Sequence, residues 1–501
     1  MTVLEDTHIA FLSGALPDDG TLRLFGVEGR ETLSRLYEFE LYLTRQGEAF
    51  SPAELDALLD APCAVALGPN PGDVMHGLLQ RIRLLDTSGT LPPRYVATMV
   101  PTAWLLTLAR SNRVFQEMTV PDMVQLILTQ YGLAPGEDFD ILVSGTHPTR
   151  EYAVQYEETD WDFIQRWLED EGFFYWFDHG GPRNKLVIAD ANSYATPITS
   201  PSAVSYRSRN DLSAGGLATV WEWGLAQQRV AARVAVFDYN YRTPHLRLIA
   251  KAPADPAGFG SVMYYNEHFK NTAEGAEVAR VRAERILCAR KVFSGWTDCA
   301  RFRVGHVFQL QDHYDGTNDG QYLITAMEHQ VGHGIPDPGR DIGAEGQNAE
   351  ATPINHYKAR FEAIPLAIPY RPERLTPWPS IHGVVHGHVE EDSPGEYAQI
   401  DELGRYKIRL PFDSGNAVGT LASRWIRMAQ PYSGAAYGSH HPLHKGTEVL
   451  ITHIDGDPDR PIIVASIPHA HTVSPVQSPN ATQSVVHTPS GIRIEMEDLQ
   501  E

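Results

Sequence analysis

The 501-residue chain is poor in cysteine: Cys63, Cys288 and Cys299 cannot all pair and show no C-x-x-C spacing. A disulfide framework is therefore excluded, and synthesis in a reducing compartment is expected. Long apolar runs are also missing. Ala103-Trp104-Leu105-Leu106 is broken by Thr107 and closed by Arg110, far short of the ~18 residues of a membrane-spanning helix. The opening residues Met1-Thr2-Val3-Leu4-Glu5-Asp6 lack the basic start of a secretory signal. The expectation is a cytoplasmic product without a signal peptide, carried out of the cell, if at all, by some other route. Basic residues are in deficit, 41 Lys+Arg against 63 Asp+Glu, for a net charge of −22. So acidic a surface repels phosphate backbones and anionic lipid, which argues against nucleic acid as a partner. No G-x-S-x-G, H-E-x-x-H, G-x-x-x-x-G-K-[ST] or G-x-G-x-x-G motif occurs, so no catalytic residue is assigned.

What is present is punctuation and alternation. At roughly 150 residues per domain the length suggests about three domains. The 41 glycines and 35 prolines favour short strands and turns over long helices. Leu22-Arg23-Leu24-Phe25 and Phe39-Glu40-Leu41-Tyr42-Leu43 alternate at period two. Three segments switch to helical spacing. Thr119 and Asp122 form a capping-box pattern around Pro121, ahead of Met123, Val124, Ile127 and Leu128, with Gly132 as the stop. Thr159 and Asp162 open the second, whose stripe is Phe163, Ile164, Trp167 and Leu168. Gly172 ends it before the aromatic strand Phe173–Phe177, read as buried rather than as a stacking platform. The acidic group Glu157, Glu158 and Asp160 complements that helix's dipole. The third, from about Ala273 to Lys291, carries Arg280, Arg282, Arg285 and Arg290 around a thin stripe of Val278, Val281 and Ile286, which predicts packing on one narrow side.

Histidine is in excess, at 21 residues. His382, His386 and His388 lie in one strand-like segment, His440, His441 and His444 in a loop, and His329 and His333 stand four apart. No cysteine or tight ligand set accompanies them, so neither a metal nor a cofactor is assigned. The cysteines read as small buried hydrophobes.

A Pro-rich connector at 364–380 divides the chain. Before it lies a region at 1–363. Behind it, 381–470 holds five short strand patterns: Ala398–Ile400, Tyr406–Leu410, Arg424–Met428, Glu448–Ile451 and Pro461–Val464, suited to a small OB-type barrel. The remaining 471–501 is a polar linker and one alternating strand with Ile492, Ile494 and Met496 on one face. A lone strand cannot bury that face by itself.

The barrel carries the most specific pattern. Asp401-Glu402-Leu403-Gly404-Arg405-Tyr406-Lys407 resembles the D-E-x-G-R-x-K signature of the VgrG family, spike proteins of type VI secretion and related contractile injection machines. The likeness continues through Trp425, Arg427 and Gly446 to Asp455-Gly456-Asp457-Pro458-Asp459-Arg460. Upstream, Gly29–Phe39 and Thr159–Tyr175 resemble the family's opening and hub motifs. The resemblance implies a mainly β, α+β fold: paired phage hub-like β-barrels, then the OB barrel and the start of a triple-stranded β-helix, in a homotrimer. Ile492, Ile494 and Met496 would meet their copies on the trimer axis. It also implies a tail-tube ring and baseplate proteins at the broad end, a PAAR-like tip protein or effector at the narrow end, and membrane contact only by transient puncture. Many members carry a long needle or toxin domain after the barrel; the brevity of 471–501 leads us to expect a short needle or an added tip. The spike of an extracellular phage-tail-like particle is the alternative. A hidden hydrolase and a carbohydrate- or surface-binding module are weaker ones.

Overall fold

Alternation over the first hundred residues builds antiparallel sheet, and the computed structural model shows how it is used. It describes residues 9–16, 21–68, 71–86, 92–145, 147–208, 218–332, 354–390, 395–414 and 423–499. The chain divides into two compact units. One is Met1–Ala109, Thr119–Pro148 and Thr159–Pro377; the other is Arg110–Met118, Thr149–Glu158 and Trp378–Glu501.

In the first unit, Leu22–Thr32 pairs with Glu38–Arg45, burying Phe39, Leu41 and Leu43 on one face. The sheet runs on through Arg94–Val100, Val74–Asp86 and Pro62–Ala66 to Ala10–Ser13, all antiparallel. Among the described residues no ladder joins the ends of these six strands. On its other side Leu22–Thr32 pairs with Gly320–Gly332, where a second set of six strands begins. From Gly320–Gly332 the order is Ile354–Pro365, Lys291–Thr297, Thr219–Gln227, Ala203–Tyr206 and His306–Gln311. His306–Gln311 then pairs back with Gly320–Gly332. This closes a barrel and removes its open edges. An aromatic cluster packs on these strands: Trp223 lies 5.1 Å from Phe293 and 5.0 Å from Tyr322, and Phe302 lies 4.7 Å from Phe308.

Four α-helices are described: α1 (Pro52–Asp60), α2 (Val120–Gln130), α3 (Asp160–Glu171) and α4 (Thr272–Cys288). The capping box expected at Thr119 is complete, with both reciprocal hydrogen bonds to Asp122. Thr159 caps α3 by accepting from the Asp162 N–H at 3.0 Å. Helix α3 ends at Gly172, at φ +76, where a Cβ would come within 2.4 Å of Val281 Cγ1. Only glycine meets both demands there. Asp160 is itself buried and accepts from the Tyr131 hydroxyl at 2.7 Å, a role beyond the dipole. Strand Phe174–Asp178 is buried, as expected of the aromatic run.

Helix α4 departs from its expected narrow packing. Arg282 is fully buried, with Nε donating to Glu267 at 2.8 Å and Nη2 to Asp170 at 2.5 Å. Two carboxylates make such burial tolerable, since a charge leaves water only when paired. The stretch 364–377 is pinned to this unit rather than free. The Arg371 Nε donates to Glu284 at 2.8 Å, and the Leu375 and Thr376 N–H groups donate to Glu169 at 2.9 Å.

The second unit has a four-stranded sheet ordered Ile408–Arg409, Val384–Val389, Glu448–His453 and Pro461–Ser466. The expected strands at 398–400 and 424–428 are not strands. Single bridges stand beside or within them instead: Tyr397 to His444 just before the first, and Tyr406 to Ile426 and Met428 to Ile463 at the second. Gly395, at φ +110, and the turn at Asp401 leave too little extended chain for a ladder at 398–400. Val384–Val389, the histidine-bearing segment, takes a central place. The core of Tyr406, Ile408, Val449, Ile451 and Ile463 also holds Val154, from the strand Ala153–Thr159 that pairs with Arg110–Phe115, and Tyr152 just before it. Beyond it, the expected lone terminal strand is one arm of a hairpin. Arg493–Glu497 pairs with Gln483–His487, placing Ile494 opposite Val486 and Met496 opposite Ser484. Two adjacent valines at the end of a polar run carried too weak a signal to be read as its partner.

Candidate assembly surfaces

The signature residues build turns of the second unit. Asp401 Oδ1 accepts from the Leu403 and Arg405 N–H groups at 3.0 and 2.9 Å, and Oδ2 accepts from Arg405 Nε at 2.6 Å. Gly404, at φ +69, makes this turn. Partial burial acts to raise the Asp401 pKa, but the hydrogen bonds from Arg405 outweigh it and hold the carboxyl below its ordinary value. The turn delivers Tyr406 into the core, where its hydroxyl accepts from the Leu443 N–H at 3.2 Å. Lys407 Nζ stands 5.0 Å from the Trp425 ring centre. The Arg427 carbonyl accepts from the Ile463 N–H at 2.9 Å, and the Gly446 N–H, at φ +77, donates to the Val389 carbonyl at 2.8 Å.

The second signature is a buried acidic turn. Gly456 sits at φ +75, where a Cβ would come within 2.3 Å of Ser380 Oγ. Asp457 accepts from the Asp459 N–H at 3.0 Å and lies 3.5 Å from Arg460 Nε, with Pro458 buried between the two aspartates. Asp459 Oδ1 accepts from the Val154 N–H at 2.6 Å. That last link was not legible: the motif displays Asp459, but a backbone N–H has no sequence signature. Nearby, burial drives the His453 pKa down to about 4, against a weaker upward pull from Asp457.

The histidines separate into local roles. His386 Nδ1 lies 2.6 Å from Glu448, His440 Nε2 3.3 Å from the Tyr406 hydroxyl, and the His444 ring 4.2 Å from that of Tyr397. His382 and His388 are exposed, and His441 lies 3.5 Å from Ser439 Oγ. His329 is buried between Glu31 and the Tyr357 hydroxyl, each at 2.7 Å; His333 lies outside the described residues. Among the described residues no three His, Cys, Asp or Glu side chains converge as a metal site would require. All three cysteines are buried, and burial pushes the Cys63 thiol up to about 12 and the Cys288 thiol to about 11.

The terminal hairpin presents an exposed apolar surface in the second unit. Ile492, Ile494 and Met496 are 65%, 60% and 61% exposed. Among the described residues nothing covers the larger part of these side chains.

Residues 30–335 match the family model described as phage tail baseplate hub (GPD), and residues 396–467 the type VI secretion system/phage-baseplate injector OB domain. The type VI secretion system spike protein VgrG1c of Pseudomonas aeruginosa is 29% identical, over 92% of this chain and 62% of its own length. VgrG1b of the same organism is 28% identical over 97% and 63%. The chain thus spans under two thirds of these relatives. The actin cross-linking toxin VgrG1 of Vibrio cholerae is 27% identical over 94% of this chain and 43% of the toxin. Among solved structures, the E. coli c3393 protein covers 91% of this chain and 99% of its own at TM-score 0.65 and 23% identity. It is described as a type VI secretion component structurally similar to the bacteriophage T4 tail proteins gp27 and gp5. The half-lidded Francisella PdpA-VgrG complex matches at TM-score 0.57 and 8% identity, over 95% of this chain and 79% of that one. At these identities the structures share the fold alone. The hub model covers more than half of the residues and the OB model follows it in order, so the chain belongs to the phage tail baseplate hub family and is a VgrG family member.

Proposed function

We propose that three copies of this chain form the hub and spike at the tip of a contractile injection apparatus of the type VI kind. The hub end seats the tail-tube ring among baseplate proteins, and the narrow end carries a PAAR-like tip protein or effector. The spike is assembled in the cytoplasm and expelled with the tube, meeting a membrane only as it punctures one. Force comes from the machine, so the protein supplies shape and stability and has no active site.

The observation that carries this reading is the terminal hairpin with Ile492, Ile494 and Met496 turned to solvent. A two-stranded ribbon with one apolar face is marginal in water, and a second and third copy supply the missing cover. We assign the turns at Asp401, Gly404, Arg405, Gly456, Asp457 and Pro458, with Lys407, Trp425, Arg427 and Gly446, to holding the OB domain that bears the hairpin. The test is the native mass of the full chain. Three 55.7 kDa chains in one particle, reduced to one by Ile492→Asp with Ile494→Asp, is the expected result. A monomer at every concentration, with and without added tip protein, overturns the proposal.

A further inference from the structure

Helix α4 covers one face of the sheet Leu248–Pro253, Arg233–Asp238, Ser261–Tyr265, with Val234, Val236 and Leu248 against Ala279 and Ala283. On the opposite face Ala235 is buried and Phe237 and Ile249 are half-buried, but among the described residues the flanking strand side chains stand open to solvent. By register, Met263, Ala235 and Lys251 form one row across it, and Tyr265, Phe237 and Ile249 the next. Met263 and Tyr265 are 69% and 63% exposed, and Phe259, in the preceding turn, 86%. Charge around these rows is one-sided. Arg229, Arg233, Arg242, Arg247 and Lys251 are exposed, whereas the acids of the same segment, Asp238, Asp255 and Glu267, are all buried. An apolar centre with a cationic rim, in a chain of net charge −22, has the anatomy of an interface.

Its complement lies in the same unit. Glu28 and Arg30, Glu38 and Glu40, and Glu328 share one face of three adjacent strands. They line a groove of about 910 Å³ with Trp296, Leu36 and Leu375 among its apolar walls. Register sets Glu28 directly opposite Glu40, and Arg30 between Glu38 and Glu328. Like charges directly opposite destabilise a sheet, so this groove is short of cations; its other arginine, Arg35, is committed to Glu169 at 2.8 Å.

One chain cannot bring the two surfaces together. Behind the sheet lies α4, whose Arg285 donates to the Pro372 carbonyl at 2.5 Å, and the stretch from Pro372 runs on to Leu375 in the groove wall. The helix side of the sheet, not its cationic face, is thus the side tied to the groove wall. We infer that the cationic sheet face of one subunit docks in the acidic groove of a neighbouring copy, head to tail. A closed ring of identical subunits needs two unlike, complementary patches, and a copy's groove offers a discrete acidic target where an extended polyanion would meet repulsion from the rest of the chain. The inference rests on the trimeric reading above and names its hub contact.

Charge swaps on the full-length chain test it by sedimentation and native mass. Arg233→Glu with Lys251→Glu on the sheet, or Glu38→Lys with Glu328→Lys in the groove, is expected to weaken assembly at least ~10-fold. Combining all four is expected to restore it, and added salt to weaken the wild type. All four sites are exposed, so secondary structure and melting temperature should hold. If a reversal misfolds, Lys251→Gln and Glu328→Gln are read in the same way. Reversals that keep the wild-type mass, or a combination that fails to recover, overturn this contact. If assembly is then lost only on Ile492→Asp with Ile494→Asp, the trimer stands and the groove contact falls. A wild type that never assembles overturns both.

Discussion

Asp459 Oδ1 accepts a hydrogen bond from the Val154 N–H at 2.6 Å, across 305 residues of chain. Arg424 Nη2 donates to the Asp459 carbonyl at 2.9 Å, and its guanidinium lies 5.3 Å from the Tyr152 ring centre. The signature aspartate thus fastens the excursion Thr149–Glu158 to the OB core. Asp459→Ala leaves a buried N–H without its acceptor, at a cost of about 1–3 kcal/mol. Urea unfolding should show the loss, with Asp459→Asn, which keeps an acceptor oxygen, losing less.

Arg282 sits between Asp170 and Glu267. Arg282→Leu keeps the stem and removes the charge, leaving the buried Glu267 and the half-buried Asp170 to share Arg374. We expect a loss of about 3–5 kcal/mol, read as a lower melting temperature for the first unit. A melt unchanged from wild type would show the pair to be dispensable.

Gly456 combines φ +75 with a Cβ position 2.3 Å from Ser380 Oγ. Gly456→Ala should cost about 1–3 kcal/mol in the second unit. Ser380→Gly is expected to recover the steric part only, since it leaves the backbone strain. Additive effects in the double-mutant cycle would contradict this.

His453 has its pKa lowered to about 4 by burial, below its unfolded value near 6.5. The unfolded state therefore binds the proton first. The stability of the second unit is full above about pH 6.5 and falls as the pH drops toward 4. His453→Phe should flatten that part of the stability–pH curve, and an unchanged slope would assign the acid sensitivity elsewhere.

The local grammar of this chain was legible. Thr119 with Asp122 and Thr159 with Asp162 announced two helix starts, Gly172 a stop, and Asp401–Arg405 and Asp455–Asp459 their turns. Each is a contact between near neighbours in sequence. Barrel closure was not legible, because Ala203–Tyr206 joins two strands in parallel, and parallel ladders leave no hairpin turn to read. Arg282 was set outside the thin stripe of Val278, Val281 and Ile286, and neither partner has a local signature: Glu267 lies 15 residues away and Asp170 112. Tyr152 and Val154 alternate like any hub strand, and nothing local says that they serve the OB core.

The route of the backbone through the two units bears on mechanical load. The chain passes from one to the other after Ala109, Met118, Pro148, Glu158 and Pro377. A single proteolytic nick at Pro377 would make 378–501 a separate peptide, held to 110–118 and 149–158 only by packing and by hydrogen bonds such as that from Val154 to Asp459. A pull on 378–501 would likewise pass both through the one backbone at Pro377 and through its packing on 110–118 and 149–158, a second route that a simple bead-on-a-string linker cannot offer. Expressing 378–501 alone removes Tyr152 and Val154 from its core, so the second unit is a unit in space but not a severable one in sequence.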